Sequence, residues 1–173
     1  MGILGDVSGL RTIVLIGPMG AGKSTVGRVV ADRLHRPLVD SDVVLWRSAG
    51  MSAADVAVTG GVERLHAIEA LILERTLQRS QGAVIAAAAS VVDFADLVDR
   101  LRDGREFVGL LNATPEECAR RAATGGHRRV ATTDDHRRLL ERRIEAYRRA
   151  ADIEIDTTSL DAIEVAELLI NAI

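Results

Sequence analysis

Positions 17–24 read GPMGAGKS, three glycines followed by a lysine and a serine in the spacing G-x-x-x-x-G-K-[ST]. Each residue type has a physical use. Glycines let main-chain N–H groups turn inward and form a cradle for an anion. The lysine is a compact positive charge that can reach the outer phosphates of a polyphosphate, and the serine hydroxyl is a hard ligand for Mg²⁺. The run TIVLI precedes the loop and TVGRVVADRL follows it. That is the strand–loop–helix setting the motif requires, and the helix adds its positive end to the cradle. Gly20, Ala21, Gly22, Lys23, Ser24 and Thr25 are therefore predicted to hold a nucleoside triphosphate, with Ser24 on the metal. GTPases, ATPases and small-molecule kinases share such a loop. A guanine-reading N-K-x-D segment is absent after the apolar run 107–111, where Asn112-Ala113-Thr114-Pro115 stands instead.

A second constellation is Val39-Asp40-Ser41-Asp42. It follows a short apolar run, where α/β sheets bind ligands at the carboxyl edge. On an extended segment, side chains two apart project to the same side, so Asp40 and Asp42 are predicted to point together. One carboxylate can face a metal and the other a hydroxyl. Farther on, AATGGHRRVATT at 122–133 combines glycines with arginines between two helical stretches, the composition of a mobile lid.

These groups need a scaffold, and the hydrophobic pattern supplies one. Short apolar runs at 12–16, 37–39, 83–87, 107–111 and 153–155 alternate with longer periodic stretches. Buried runs joined by helices predict a three-layer α/β fold, with about five parallel strands between helices on both faces. Thr114-Pro115-Glu116-Glu117 reads as a helix start, and Asp161 with Glu164 as a capping box. The Arg- and Glu-rich segment 134–149 reads mainly as a solvated helix face laced with ion pairs.

Composition narrows the class further. The 173 residues carry a net charge of −3 and predict one domain, 1–173. Aromatic residues make up 2%, too few for a base-stacking platform, and the slight acidity does not suit a duplex binder, so no nucleic acid partner is expected. No apolar run reaches the ~20 residues of a membrane span. The first residues lack a basic head and a cleavage site, and Cys118 is the lone cysteine, so a cytoplasmic protein is predicted, as a monomer or weak dimer.

The loop, then VDSD, AGMSAADV (49–56), GGVERLHAIE (60–69) and ERRIEAYRRAADIEIDT (141–157) run in the order and spacing of the shikimate kinase family, within the nucleoside-monophosphate-kinase-like group. The chain resembles that family over nearly its whole length. The resemblance implies ATP and Mg²⁺ as cofactors and a small-molecule hydroxyl acceptor. It implies Asp40 on Mg²⁺, Asp42 on the acceptor and its proton, Arg121 against adenine, Arg128 or its neighbour Arg129 as the lid arginine that completes the phosphoryl cage, and Arg143 on the acceptor's carboxylate.

Three departures fall on the acceptor side. The family's arginine in F-R-x-x-E is His66 here, with Glu69 kept, and a histidine cannot grip a carboxylate with a fork. The glycine triplet after the third strand becomes Ala88-Ala89-Ser90, which predicts a narrower wall and a serine hydroxyl that can bond a ligand or cap a helix. The lid reads Arg129-Val130-Ala131 in place of P-L-L. With His66, Ser90 and Arg143 carried as substrate-binding residues, the prediction is an ATP- and Mg²⁺-dependent kinase of shikimate or a related ring polyol or hydroxy acid. The alternative is a kinase-derived ATP-binding regulatory module without transfer activity.

Overall fold

Strand β1 (Ile13–Ile16) is fully buried, and its alternate residues feed two separate cores. Val14 and Ile16 pack with Leu73, Val98, Leu110 and Tyr147 on one face. Ile13 and Leu15 pack with Val26, Val30, Val165 and Leu169 on the other. Burial on both faces is why this strand is a continuous apolar run with no polar alternation. The protein is seen here through a computed structural model that describes residues 9–124 and 132–173.

From β1 the chain enters α1 (Lys23–Leu34), then β2 (Leu38–Asp40), α2 (Ser41–Ala49), α3 (Ala53–Gly60) and α4 (Val62–Arg79). Strand β3 (Val84–Ala86) leads into a short 3-10 turn, Ala89–Asp93, and α5 (Ala95–Arg102). Then come β4 (Phe107–Asn112), α6 (Pro115–Thr124), α7 (Thr133–Ala150), β5 (Ile153–Asp156) and α8 (Ala162–Asn171). The five strands form one parallel sheet in the order β2-β3-β1-β4-β5. Helices α1 and α8 cover one face, and α4, α5 and α7 cover the other. The three-layer α/β expectation holds. From β1 the chain turns first toward β2 and β3 and later toward β4 and β5. The crevice at the carboxyl end of β1 is therefore the ligand position of such a sheet.

Local signals held as well. The Thr114 hydroxyl accepts from the Glu117 N–H at the start of α6. The Asp161–Glu164 capping box opens α8. The 3-10 turn was not legible: its run Ala89-Ser90-Val91-Val92 continues the apolar run of β3 without a break. No described helix is long and apolar enough to cross a membrane.

Candidate active site

The loop after β1 turns at three glycines of positive φ, Gly17 at 139°, Gly20 at 85° and Gly22 at 94°. Gly20 lies so close to α6 that an added Cβ would stand 2.3 Å from the Cys118 carbonyl oxygen. Gly22 caps the start of α1 in the left-handed conformation. The Lys23 ammonium donates to the carbonyls of Gly17 (2.7 Å) and Pro18 (2.9 Å), which folds it over its own loop. Gly20, Gly22, Lys23, Ser24 and Thr25 line a cavity of about 510 Å³ together with Asp40, Asp42 and Ala86–Ala88. Ala21 is buried beneath the loop, and its carbonyl accepts from the Thr157 hydroxyl at 3.1 Å.

Asp40 and Asp42 do share this cavity, but not because both lie on an extended segment. Asp40 ends β2 and caps α2, its Oδ1 accepting from the Asp42 N–H at 2.9 Å. Asp42 sits in the first turn of α2, where the helix dipole favours a negative charge. The chain turns at Asp40 because its short carboxylate satisfies an otherwise unpaired N–H of the new helix. Ser24 and Asp40, a hydroxyl and a carboxylate on one cavity wall and the next, match the sparse oxygen set that Mg²⁺ takes beside phosphates.

Arg121, on α6, stands between two cavities. It lines the large one and a second of about 230 Å³ with Ala21, Thr25, Thr157 and Val165. Its guanidinium is held rigidly, donating to Glu117 Oε1 (2.6 Å), Thr157 Oγ1 (3.1 Å) and the Thr157 carbonyl (2.7 Å). Hydrogen bonds from Arg120 and then Arg121 bring the Glu117 carboxyl down to about 2. Thr157 escaped the sequence reading, although it closes the motif segment 141–157. Arg128 and most of the predicted lid lie outside the described residues.

The acceptor-side residues meet in a way the sequence did not predict. Arg143 of α7 is buried, and its fork is taken by Asp93: Nε donates to Oδ1 at 2.7 Å and Nη2 to Oδ2 at 2.5 Å. His66 Nδ1 lies 3.3 Å from the same Asp93 Oδ2. Burial opposes the charge on Arg143, but the bonds to Asp93 and the nearby Tyr147 and Glu69 outweigh it and push its pKa up. Ser90 does not line the cavity and caps no helix. It is buried and donates its hydroxyl to Glu69 Oε2. Ala88 keeps an ordinary negative φ, so alanine replaces glycine there without backbone strain. Tyr147 Oη donates to the Ala89 carbonyl at 2.6 Å and pins the turn that carries Ser90 and Asp93. Asp93 was missed altogether. The signal was present in an acid ending an apolar run at the carboxyl edge of β3.

A five-stranded parallel sheet with a phosphate loop after β1, an aspartate ending β2, a second in the first turn of α2 and an arginine of α6 on the same cavity defines a P-loop kinase of the nucleoside-monophosphate-kinase-like group. The family model described as Shikimate kinase matches residues 19–173. A shikimate kinase of Pseudoalteromonas atlantica is 36% identical over 167 residues, covering 94% of this chain and 96% of that protein. One of Vibrio campbellii is 35% identical over 164 residues, covering 92% and 94%. The solved shikimate kinase of Acinetobacter baumannii, in complex with shikimate, superposes with a TM-score of 0.87 at 28% identity over 95% of this chain and 93% of that one. The chain belongs to the shikimate kinase family. Membership makes it a phosphotransferase with an alcohol group as acceptor, and implies ATP as donor.

Proposed function

We propose that the chain transfers the γ-phosphoryl group of ATP to a hydroxyl of shikimate or a related ring polyol or hydroxy acid. The observation that carries this reading is that Lys23, Ser24, Asp40 and Asp42 line one cavity. The loop's main-chain N–H groups and the start of α1 hold the triphosphate. Lys23 leaves the carbonyls of Gly17 and Pro18 for the outer phosphate oxygens, where charge spreads in the transition state. The base lies against Arg121, whose plane is fixed by Glu117 and Thr157. Ser24 and Asp40 hold Mg²⁺, which when bound offsets charge on the phosphates. Asp42 orients the acceptor hydroxyl and takes its proton as the oxygen attacks. Such transfer needs chiefly positioning and electrostatics, and these side chains supply both.

The test is turnover of ATP with a panel of ring hydroxy acids and polyols, run on the wild-type chain, Lys23→Met and Asp42→Asn. Lys23→Met abolishes transfer. Asp42→Asn lowers kcat by about 10²- to 10⁴-fold, the usual worth of a general base, while calorimetry finds ATP affinity unchanged. Normal turnover by Asp42→Asn sinks the assignment of the base. ATP binding without product from any acceptor favours the regulatory-module alternative.

A further inference from the structure

Arg121 is bonded to the phosphate loop through one buried hydroxyl. Thr157 follows β5 and is 2% exposed. Its N–H donates to the Asn112 carbonyl at 2.7 Å, so the ladder between β4 and β5 fixes its place. Its Oγ1 accepts from Arg121 Nη1 at 3.1 Å and donates to the Ala21 carbonyl at 3.1 Å. A hydroxyl has one proton to give. Here that proton goes to Ala21, the guanidinium takes a lone pair, and the hydroxyl is used in both directions. Ala21 is fully buried and stands between Gly20 and Gly22 of the loop. Ala21, Arg121 and Thr157 all line the cavity of about 230 Å³, and Arg121 lines the larger one as well.

We infer that Thr157 is a positioning residue for the phosphoryl donor: its hydroxyl braces Arg121 against the phosphate loop, so that the guanidinium that meets the base and the cradle that holds the phosphates stand at one fixed spacing. The inference rests on the kinase reading above, in which the base lies against Arg121. A nucleotide is held at both ends, so an error in that spacing weakens binding even when each end is intact. A free arginine side chain has many rotamers, and ordering it as a ligand arrives costs affinity. In this protein the ordering is done beforehand. Glu117 ties the guanidinium to its own helix, and the Thr157 carbonyl ties it to the end of β5. The Thr157 hydroxyl carries the tie onward to the loop.

The experiment titrates the full-length protein by calorimetry, in the presence of Mg²⁺, with ATP and with inorganic tripolyphosphate, which has no base. Wild type is compared with Thr157→Val, Thr157→Ser, Arg121→Ala and the double variant Thr157→Val with Arg121→Ala. Valine keeps the shape of threonine and removes the hydroxyl, whereas serine keeps the hydroxyl. Thr157→Val is expected to weaken ATP about 10-fold, while tripolyphosphate changes by less than about threefold. Tenfold is the low end of the worth of a hydrogen bond to a charged group, because Glu117 and the Thr157 carbonyl still hold the rest of the fork. Thr157→Ser is expected to bind ATP within about threefold of wild type. Added to Arg121→Ala, Thr157→Val is expected to cost ATP nothing further, since the hydroxyl acts through the guanidinium. Equal losses for ATP and tripolyphosphate in Thr157→Val would mean a disturbed loop, and losses that multiply in the double variant would mean two independent contacts. Either result, or a serine that fails to restore ATP binding, overturns the inference and leaves the kinase reading standing. Should Thr157→Val not fold, Thr157→Ala carries the same comparisons. If ATP gives no heat with the wild-type protein, the kinase reading fails and this inference with it.

Discussion

Replacing Gly20 by alanine tests the central claim, that the phosphate cradle is a main-chain device held in place by α6. The new Cβ would stand 2.3 Å from the Cys118 carbonyl oxygen and 2.9 Å from that residue's carbonyl carbon and Cα. Carbon and oxygen rarely approach closer than ~3.3 Å, so loop and helix must part by about 1 Å. The backbone at φ 85° adds the left-handed cost of an L-residue. Together the strain and the overpacking amount to roughly 2–5 kcal/mol. That is within the ~5–15 kcal/mol of a typical domain, so the variant should fold at reduced stability. Helix α6 cannot yield easily, because Cys118 is buried and Arg121, one turn on, is tied to Thr157. The displacement therefore falls on the loop. A 1 Å error in a positioning element is worth on the order of 10²-fold in rate. Steady-state kinetics should find kcat/KM for ATP lowered about 100-fold, with urea unfolding still cooperative. If the variant turns over within about threefold of wild type, the cradle does not depend on this contact, and the reasoning from Gly20 is wrong.

Two further outcomes concern groups the site does not use. Burial pushes the Cys118 thiol from an ordinary 9.0 to about 11, with Lys23 and Arg121 only partly opposing it. At pH 8 the native protein should resist iodoacetamide, and the same protein in urea should label readily. Equal rates would mean that α6 opens freely. His136 is buried with no partner for Nε2 among the described residues, and burial, against the pull of Asp135, lowers its pKa below 6.5. Above that value the histidine is neutral folded or unfolded and contributes nothing. As pH falls through it, the unfolded chain takes a proton that the folded chain refuses, so stability drops until the folded pKa is reached. His136→Gln should lose this part of the acid slope. Urea midpoints measured at about pH 7.5 and about pH 5.5 check it, and identical slopes in both proteins would exclude the effect.

The sheet was legible because both of its faces are covered. Each strand reads as an apolar run, and β1 divides its side chains between two cores. Helix starts were legible where a side chain does the capping, as at Thr114 and Asp161. Asp40 shows the limit. Its place beside Asp42 was foreseen, and both line the cavity, but the extended geometry invoked for it is replaced by a helix that starts one residue after Asp40. A short acid after a strand can continue the strand or cap a helix, and the spacing of two carboxylates does not distinguish these.

The two halves of the cavity differ in how a sequence encodes them, and that explains where reading stopped. The phosphate end is built from backbone amides, three glycines of positive φ and a lysine, all within residues 17–25, so spacing alone specifies it. The cluster of His66, Asp93 and Arg143 is built from side chains carried by α4, the 3-10 turn and α7, which stand 27 and 50 positions apart along the chain. Nothing local marks such a meeting. Read singly, His66 is a weaker cation where an arginine is expected, Ser90 a hydroxyl in search of a ligand, and Arg143 an open fork. Placed together, Ser90 belongs to Glu69 and Arg143 to Asp93, and His66 becomes the second nitrogen on the same carboxylate. A full arginine at position 66 would bring a second permanent charge to Asp93 and swing the local balance toward anion binding.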